Sequence, residues 1–158
     1  MHLKGGAHAE PSFTDLGLSL NATGELSGLG NPDIVVELAA RANVDATCGN
    51  PGTNTWQAPG QNPAPITVTG SQAIPASEFK NGTVAFDVYT KAPAATVEGA
   101  PDCANSMWTE VIQDLAFTSA TITVQQPEGT AVLTVSCSFS SPTADGAVPG
   151  TQVTCTSD

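Results

Sequence analysis

Ala120-Thr121-Ile122-Thr123-Val124 and Leu133-Thr134-Val135-Ser136-Cys137-Ser138-Phe139 are the two stretches that decide the fold. In both, a polar or small residue separates successive apolar ones. The apolar side chains therefore fall on one face of an extended strand and the hydroxyl groups fall on the other. The same period of two recurs in five further segments, which are Leu16–Leu20, Ile34–Leu38, Ile66–Val68, Val84–Val88 and Val153–Cys155.

Roughly seven to nine short strands separated by Gly, Pro and Asn turns predict an all-β protein, an antiparallel immunoglobulin-like (Greek-key) β-sandwich. The 158 residues suit one domain. We expect a flexible N-terminal arm over residues 1–11 and a single sandwich domain over residues 12–158. A short helix over residues 33–42 is the alternative there, but the run Ile34-Val35-Val36 favours a strand. Residues 75–80 suit one helical turn.

Two long segments rich in Pro, Gly and Asn interrupt the strand pattern, at residues 48–65 and 91–107. We interpret both as irregular loops, and loops of this length in a compact domain usually serve a function. Each contains or adjoins a cysteine, since Cys48 opens the first and Cys103 lies within the second.

The four cysteines predict two disulfides and an oxidising compartment. None is in a Cys-x-x-Cys pair, which argues against zinc or thioredoxin-type sites. Three connectivities are open. We favour a Cys137–Cys155 disulfide, because those residues lie on consecutive predicted strands. The two remaining cysteines then form the second disulfide, Cys48–Cys103. We expect a secreted, extracellular protein whose leader has been removed, because the first residues have no apolar leader core.

The charge is strongly acidic, with a formal net charge of -11 and only 4 Lys and Arg residues. Phosphate backbones and anionic lipids repel such a chain, so neither nucleic acid nor membrane insertion is expected. No apolar run approaches the roughly 20 residues that a spanning helix needs. The acidic residues are scattered singly, which favours solubility over a recognition tail.

Three stretches resemble small secreted bacterial β-sandwich proteins of unassigned function: Gly60–Ala64, Thr69–Pro75 and Phe117–Val124. The resemblance covers about two-thirds of the chain. It implies export and a β domain, and it transfers no catalytic residue.

No catalytic constellation is evident, and we expect that the protein is not an enzyme. The only histidines, His2 and His8, lie in the predicted arm, where an imidazole is poorly fixed for a catalytic triad. Paired carboxylates are the other option, with Glu110 and Asp114 facing one cleft beside Trp108. We interpret the candidate acids as solvated surface groups. They are Glu37, Glu78, Glu98, Glu110 and Asp114.

No bound cofactor is expected, although two weak metal sites are conceivable. Loop oxygens of Asn31, Asp33, Asn50 and Asn54 suit a weak Ca²⁺ site. An N-terminal His2 with its free amine, and His8 as a second nitrogen ligand, suits Cu²⁺.

Tryptophan and amide side chains in the two long loops are the best candidates for ligand binding. Trp56 and Trp108 can stack on a sugar ring while neighbouring amides read its hydroxyl groups. The alternative is that both indoles plug one end of the sandwich. The candidate amides are Asn54, Gln57, Gln61 and Asn105.

The sequence therefore predicts a secreted, non-catalytic β-sandwich that acts as an extracellular binding or structural module. Three alternatives remain: a carbohydrate-binding domain that uses the loop tryptophans, a subunit of a self-assembling extracellular matrix or filament, and a copper protein with an N-terminal His. Self-association in the second would come from an arm that adds as a strand to a neighbour's sheet edge.

Overall fold

The structure, a computed structural model, describes residues 1–5, 9–50, 55–59, 63–104 and 107–158, and for residues 50 and 55–59 the backbone alone. These residues form strands and two 3-10 turns, with no α-helix among them. The described part of the chain contains no helix with the length and apolar character needed to span a bilayer. The predictions of an all-β protein with antiparallel sheets and two disulfides are confirmed.

The strands in the described residues are numbered along the chain. They are β1 (His2–Leu3), β2 (Ser12–Asp15), β3 (Leu20–Ser27), β4 (Ile34–Asn50), β5 (Thr55–Pro59), β6 (Ile66–Ile74), β7 (Thr83–Tyr89), β8 (Thr96–Val97), β9 (Thr109–Gln125), β10 (Ala131–Phe139), β11 (Gly146–Ala147) and β12 (Val153–Ser157).

Two antiparallel sheets enclose the core. In the smaller sheet, β3 is central and pairs with β7 along one side. Its other side pairs with β2 along the first half of the strand and with β1 near the end, and β11 pairs with the outer side of β2. In the larger sheet the order is β6, β4, β9, β10 and β12. Phe13 of the smaller sheet packs edge-to-face on Phe139 of the larger one, with ring centroids 5.2 Å apart. The alternating apolar residues of both sheets meet in this way.

Along β9, the buried residues switch twice between even and odd positions. Ala120, Ile122 and Val124 are buried, then Leu115 and Phe117, then Ile112. Each change coincides with a register shift against β4, one between Arg41 and Ala42 and one between Asp45 and Ala46. An extra residue in β9 at each bulge turns the following side chains to the opposite face. The two bulges therefore keep the apolar groups inward along all of β9.

The two sheets meet at a close backbone contact between β6 and β7. A Cβ atom on Gly70 would lie 1.7 Å from the carbonyl oxygen of Tyr89, so only glycine fits there. The backbone N–H of Lys91 donates to the carbonyl oxygen of Thr69 at 2.8 Å beside this contact. The N–H of Asp87 donates to Oε1 of Gln72 at 2.9 Å.

Most predicted strands are confirmed, as is the helical turn, which is a 3-10 turn at Ala76–Glu78. The strand predicted at Leu16–Leu20 is wrong over its first four residues. There the N–H of Leu16 donates to the carbonyl oxygen of Ser19, Gly17 has a φ of 93°, and Leu16 is 51% exposed. These residues make the turn between β2 and β3.

The prediction that residues 48–65 are irregular is also wrong in part. β4 continues to Asn50, and β5 pairs with it antiparallel. Pairing between strands holds residues 48–50 and 55–59 extended despite the turn-forming composition around them, since sheet hydrogen bonds outweigh local preference. Between residues 91 and 107, the described part is irregular except for the short β8.

Candidate functional site

The strands β4 and β9 extend beyond the residues that pair with β6 and β10. In that part, each of them pairs with a different short strand on its outer side. β5 pairs with β4, and β8 pairs with β9. We call this part of the molecule the extension, and it comprises residues 46–50, 55–59, 96–104 and 107–112. Ala46, Cys48 and Ala100 are buried in it but lie outside the main core cluster. The extension is therefore a small packed unit at the end of the larger sheet.

A disulfide holds the irregular part of the extension against its strands. Cys48 of β4 bonds to Cys103, with their Cα atoms 5.7 Å apart. Around Cys103 the chain turns tightly, since the N–H of Ala100 donates to Val97 and that of Cys103 donates to Ala100. The predicted pairing of Cys48 with Cys103 is confirmed, and it fixes a segment that otherwise has little regular structure.

The strand register brings the two tryptophans to the same end of the extension. Gly49 of β4 lies opposite Trp56 of β5 on one side and opposite Thr109 of β9 on the other. Trp108 directly precedes Thr109, so the two tryptophan backbones are separated by about two strand spacings of 4.8 Å each. The side chain of Trp108 is half-buried.

The amides predicted to accompany the tryptophans are only partly placed. Gln57 is the extra residue where the register between β4 and β5 shifts, so it lies beside Trp56 in the chain. Asn54, Gln61 and Asn105 lie outside the described residues. The binding role of all these residues stays a prediction.

Glu110 is a buried carboxyl group in the extension, so its interpretation as a solvated surface acid is wrong. Its side chain is 1% exposed and lies opposite Cys48 in the strand register. Its Oε1 accepts the backbone N–H of Asp102 at 3.0 Å. Burial raises the pKa of Glu110, and the neighbouring Asp102 carboxyl group raises it further. Glu37, Glu78 and Glu98 are exposed, as expected.

Glu110 and Asp114 do not face one cleft. Glu110 interacts with Asp102, whereas Asp114 lies with Asp15 and Asp145 at the edge of the sandwich. The bulge at residue 113 separates the two acids. The arrangement needed for a pair of catalytic carboxylates across a sugar is therefore not formed by these two residues.

Asp15, Asp114 and Asp145 form an acidic cluster that the sequence did not predict. One carboxylate oxygen from each lies within 4.8 Å of the other two. Asp15 is 2% exposed, its Oδ1 accepts the N–H of Gly17 at 2.8 Å, and its Oδ2 accepts the hydroxyl of Thr143 at 2.6 Å. Carboxylate oxygens so placed can ligate a hard cation such as Ca²⁺.

Burial, together with mutual repulsion, favours proton binding in the acidic cluster. The pKa of Asp114 is raised to about 6, first by burial and then by its hydrogen bond and charge interaction with Asp145. The pKa of Asp15 is raised as well, mainly by burial. Because the folded-state pKa of Asp114 exceeds its ordinary 3.8, the fold binds this proton more tightly than the unfolded chain does. The associated stability is complete below pH 3.8 and is lost as the pH rises through about 6.

We expect Asp114→Asn to stabilise the protein at pH 7.5 by on the order of 1 kcal/mol, because a neutral amide removes the repulsion but can still donate to Asp145. The gain should disappear near pH 4, where the wild-type Asp114 carboxyl group is protonated. Urea unfolding at both pH values measures the difference. Glu128→Gln is the control, since Glu128 is exposed in the turn after β9. A gain that is equal at both pH values would contradict this explanation.

The four residues proposed for Ca²⁺ cannot form one site. Asn31 and Asp33 precede β4, whereas Asn50 ends it, so roughly 50 Å of extended strand separates them. The Oδ1 of Asp33 also accepts the N–H of Ala76 at 2.8 Å. Of the two histidines considered for copper, His2 is exposed in β1, and His8 lies outside the described residues.

Comparison with models of protein families, with curated proteins and with solved structures finds no match to this chain. What the protein does is therefore inferred from its own residues and their geometry.

Proposed function

We propose that this protein is a secreted, non-catalytic binding module, an immunoglobulin-like sandwich whose extension binds a neutral carbohydrate. The observation that carries the proposal is the register at Gly49, which sets Trp56 and Thr109 on either side of one residue. Trp56 lies in β5 and Trp108 directly precedes β9, the two strands that flank β4 here, and an indole is an apolar surface of the size of a sugar ring. Amide and hydroxyl groups around such surfaces give directional recognition.

The strand order supports the immunoglobulin-like description. β2, β3 and β7 in one sheet correspond to strands A, B and E of that fold. β6, β4, β9 and β10 in the other correspond to C′, C, F and G. In this arrangement the end of the sandwich presents loops and strand extensions that are free to vary without disturbing the core.

Charge and compartment support a neutral extracellular ligand. The net charge of -11 disfavours nucleic acid and anionic surfaces, whereas a neutral glycan meets no such repulsion. Both disulfides suit an oxidising environment. Non-catalytic binding is favoured because Glu110 is hydrogen-bonded to Asp102 and Asp114 lies with Asp15 and Asp145, so Glu110 and Asp114 do not face each other across a cleft.

The test is glycan binding by wild type, Trp56→Ala and Trp108→Ala, screened on a glycan array and quantified by calorimetry on the best glycan. Each substitution should weaken binding on the order of tenfold or more, because tryptophans at binding surfaces carry a large share of the free energy. Tyr89→Ala is the matched control, since Tyr89 is 52% exposed on β7 in the other sheet.

Thermal unfolding of each variant shows whether the fold is retained. If wild type binds no glycan, or if both tryptophan variants bind as wild type does while remaining folded, the proposal is wrong.

A further inference from the structure

The outer edge of β12 presents a short, regular row of backbone groups. Thr134 and Asp158 exchange both backbone hydrogen bonds, at 3.1 and 2.8 Å, so they form a hydrogen-bonded pair next to the end of the ladder. The pairs alternate along an antiparallel ladder. Val153, Cys155 and Ser157 are therefore in non-hydrogen-bonded positions, and their N–H and C=O groups point away from β10. The N–H of Val153 donates to the carbonyl oxygen of Gly150 in the preceding 3-10 turn.

One side chain from the start of the chain covers the middle of this row. Oε2 of Glu10 accepts the backbone N–H of Cys155 at 2.8 Å. Beside the strand runs a groove of about 530 Å³, lined by Ala9, Glu10 and residues 153–157. Charged groups on edge strands are a common way to prevent one sheet from pairing with another. Glu10 is placed to act in this way.

We propose that the β12 edge pairs with the β12 edge of a second copy of this chain, about a two-fold axis at Cys155, and that Glu10 holds this edge closed in the monomer. Antiparallel pairing about that axis sets Cys155 opposite Cys155 of the partner subunit and Val153 opposite Ser157 of the partner subunit. Cys155 then exchanges both backbone hydrogen bonds with Cys155 of the partner subunit, and the N–H of Ser157 donates to the carbonyl oxygen of Val153 of the partner subunit, with the symmetry that an isologous interface requires. The two larger sheets become one continuous sheet.

The second copy fits this edge because the row is self-complementary and nearly free of charge. The side chains along the strand are small and neutral, such as Thr154 and Thr156, so no basic residue opposes pairing. Other sheet edges are less suitable. The outer edges of β6 and β7 face each other, where the N–H of Lys91 donates to Thr69 and that of Asp87 donates to Gln72, and β11 has only two residues.

The position of Glu10 determines how strongly the copies associate. Before pairing, each copy must release the bond from Glu10 to Cys155, and the two carboxylates approach each other at the axis. Both effects weaken the dimer of the wild-type protein. Glu10→Ala should therefore lower the dimer dissociation constant on the order of tenfold or more, because two competing hydrogen bonds and one like-charge pair are removed. Added salt should strengthen the wild-type dimer, since it screens the acidic copies from each other.

Sedimentation equilibrium over a concentration series tests the proposal with four proteins: wild type, Glu10→Ala, Glu10→Ala/Ser157→Pro and Glu10→Ala/Ser157→Ala. Proline removes the outward N–H of Ser157 and leaves the bonds to β10 intact, because those come from the neighbouring residues. We expect tighter dimers for Glu10→Ala, the same for its Ser157→Ala form, and monomers for its Ser157→Pro form.

Amide hydrogen exchange provides a second measurement if the proline variant fails to fold. In Glu10→Ala, the amides of Cys155 and Ser157 should become protected as concentration rises. The proposal is overturned if Glu10→Ala stays monomeric through the series, or if it associates without protection of these two amides.

Discussion

Gly70→Ala should destabilise the protein by roughly 4 kcal/mol or more, and we expect little folded protein from this variant. The added Cβ would lie 1.7 Å from the carbonyl oxygen of Tyr89 and 2.7 Å from its carbonyl carbon. Both atoms are backbone, so no side chain can turn aside to make room. β6 must move away from β7, which breaks the bond from the N–H of Lys91 to Thr69 where the sheets meet.

Gly150→Ala is the matched control, because nothing lies within 4 Å of a Cβ built at Gly150 and its backbone angle is ordinary. Its effect on the free energy of unfolding should stay within about 0.5 kcal/mol. Urea unfolding, followed by circular dichroism, compares the two variants. The expected loss for Gly70→Ala is roughly 4 kcal/mol. If its free energy of unfolding instead lies within about 1 kcal/mol of the wild-type value, then β6 and β7 do not meet as described.

Replacing Cys48 and Cys103 together by alanine should cost about 4 kcal/mol of unfolding free energy. This disulfide spans 55 residues, and cross-linking a loop of that length removes much conformational freedom from the unfolded chain. The irregular residues 98–104 depend on it most, because otherwise only short turns, the buried Ala100 and the hydrogen bond from Asp102 to Glu110 hold them to β9. Their amides should lose protection from hydrogen exchange before those of the core strands do.

The corresponding double alanine variant of Cys137 and Cys155 is the comparison. That disulfide spans 18 residues and links neighbouring strands, so about 3 kcal/mol is expected. Its loss should leave the exchange of the extension amides nearly unchanged. Equal exchange in the extension for both variants would contradict the role given to Cys48–Cys103.

The strands that could be predicted from the sequence are those whose burial alternates without interruption. In β7, for example, Val84, Phe86 and Val88 are buried and the residues between them are exposed. The Asn81-Gly82 turn before it was recognisable too, because both residues adopt positive φ angles that favour this dipeptide. The first half of β9 was missed, since its two bulges break the period of two between Ile112 and Ala120.

The candidate site was predictable in its residue types but not in its geometry. Trp56 and Trp108 stood out as large aromatics in segments rich in amides, yet their common location depends on the pairing of both segments with β4. The acidic cluster gave no local signal at all. Asp15 and Asp114 are 99 positions apart in the chain, and only the packing of the sandwich edge brings them together.

Backbone amide shifts of the wild-type protein, recorded by NMR during titration with the glycan that it binds best, test the central claim most directly. We predict that the perturbed amides cluster in the extension, above all around Gly49, Trp56 and Trp108, while those of β2, β3 and β7 stay in place. Perturbations confined to the outer faces of the sandwich, with the extension unaffected, would contradict the claim that this end of the molecule is its binding surface.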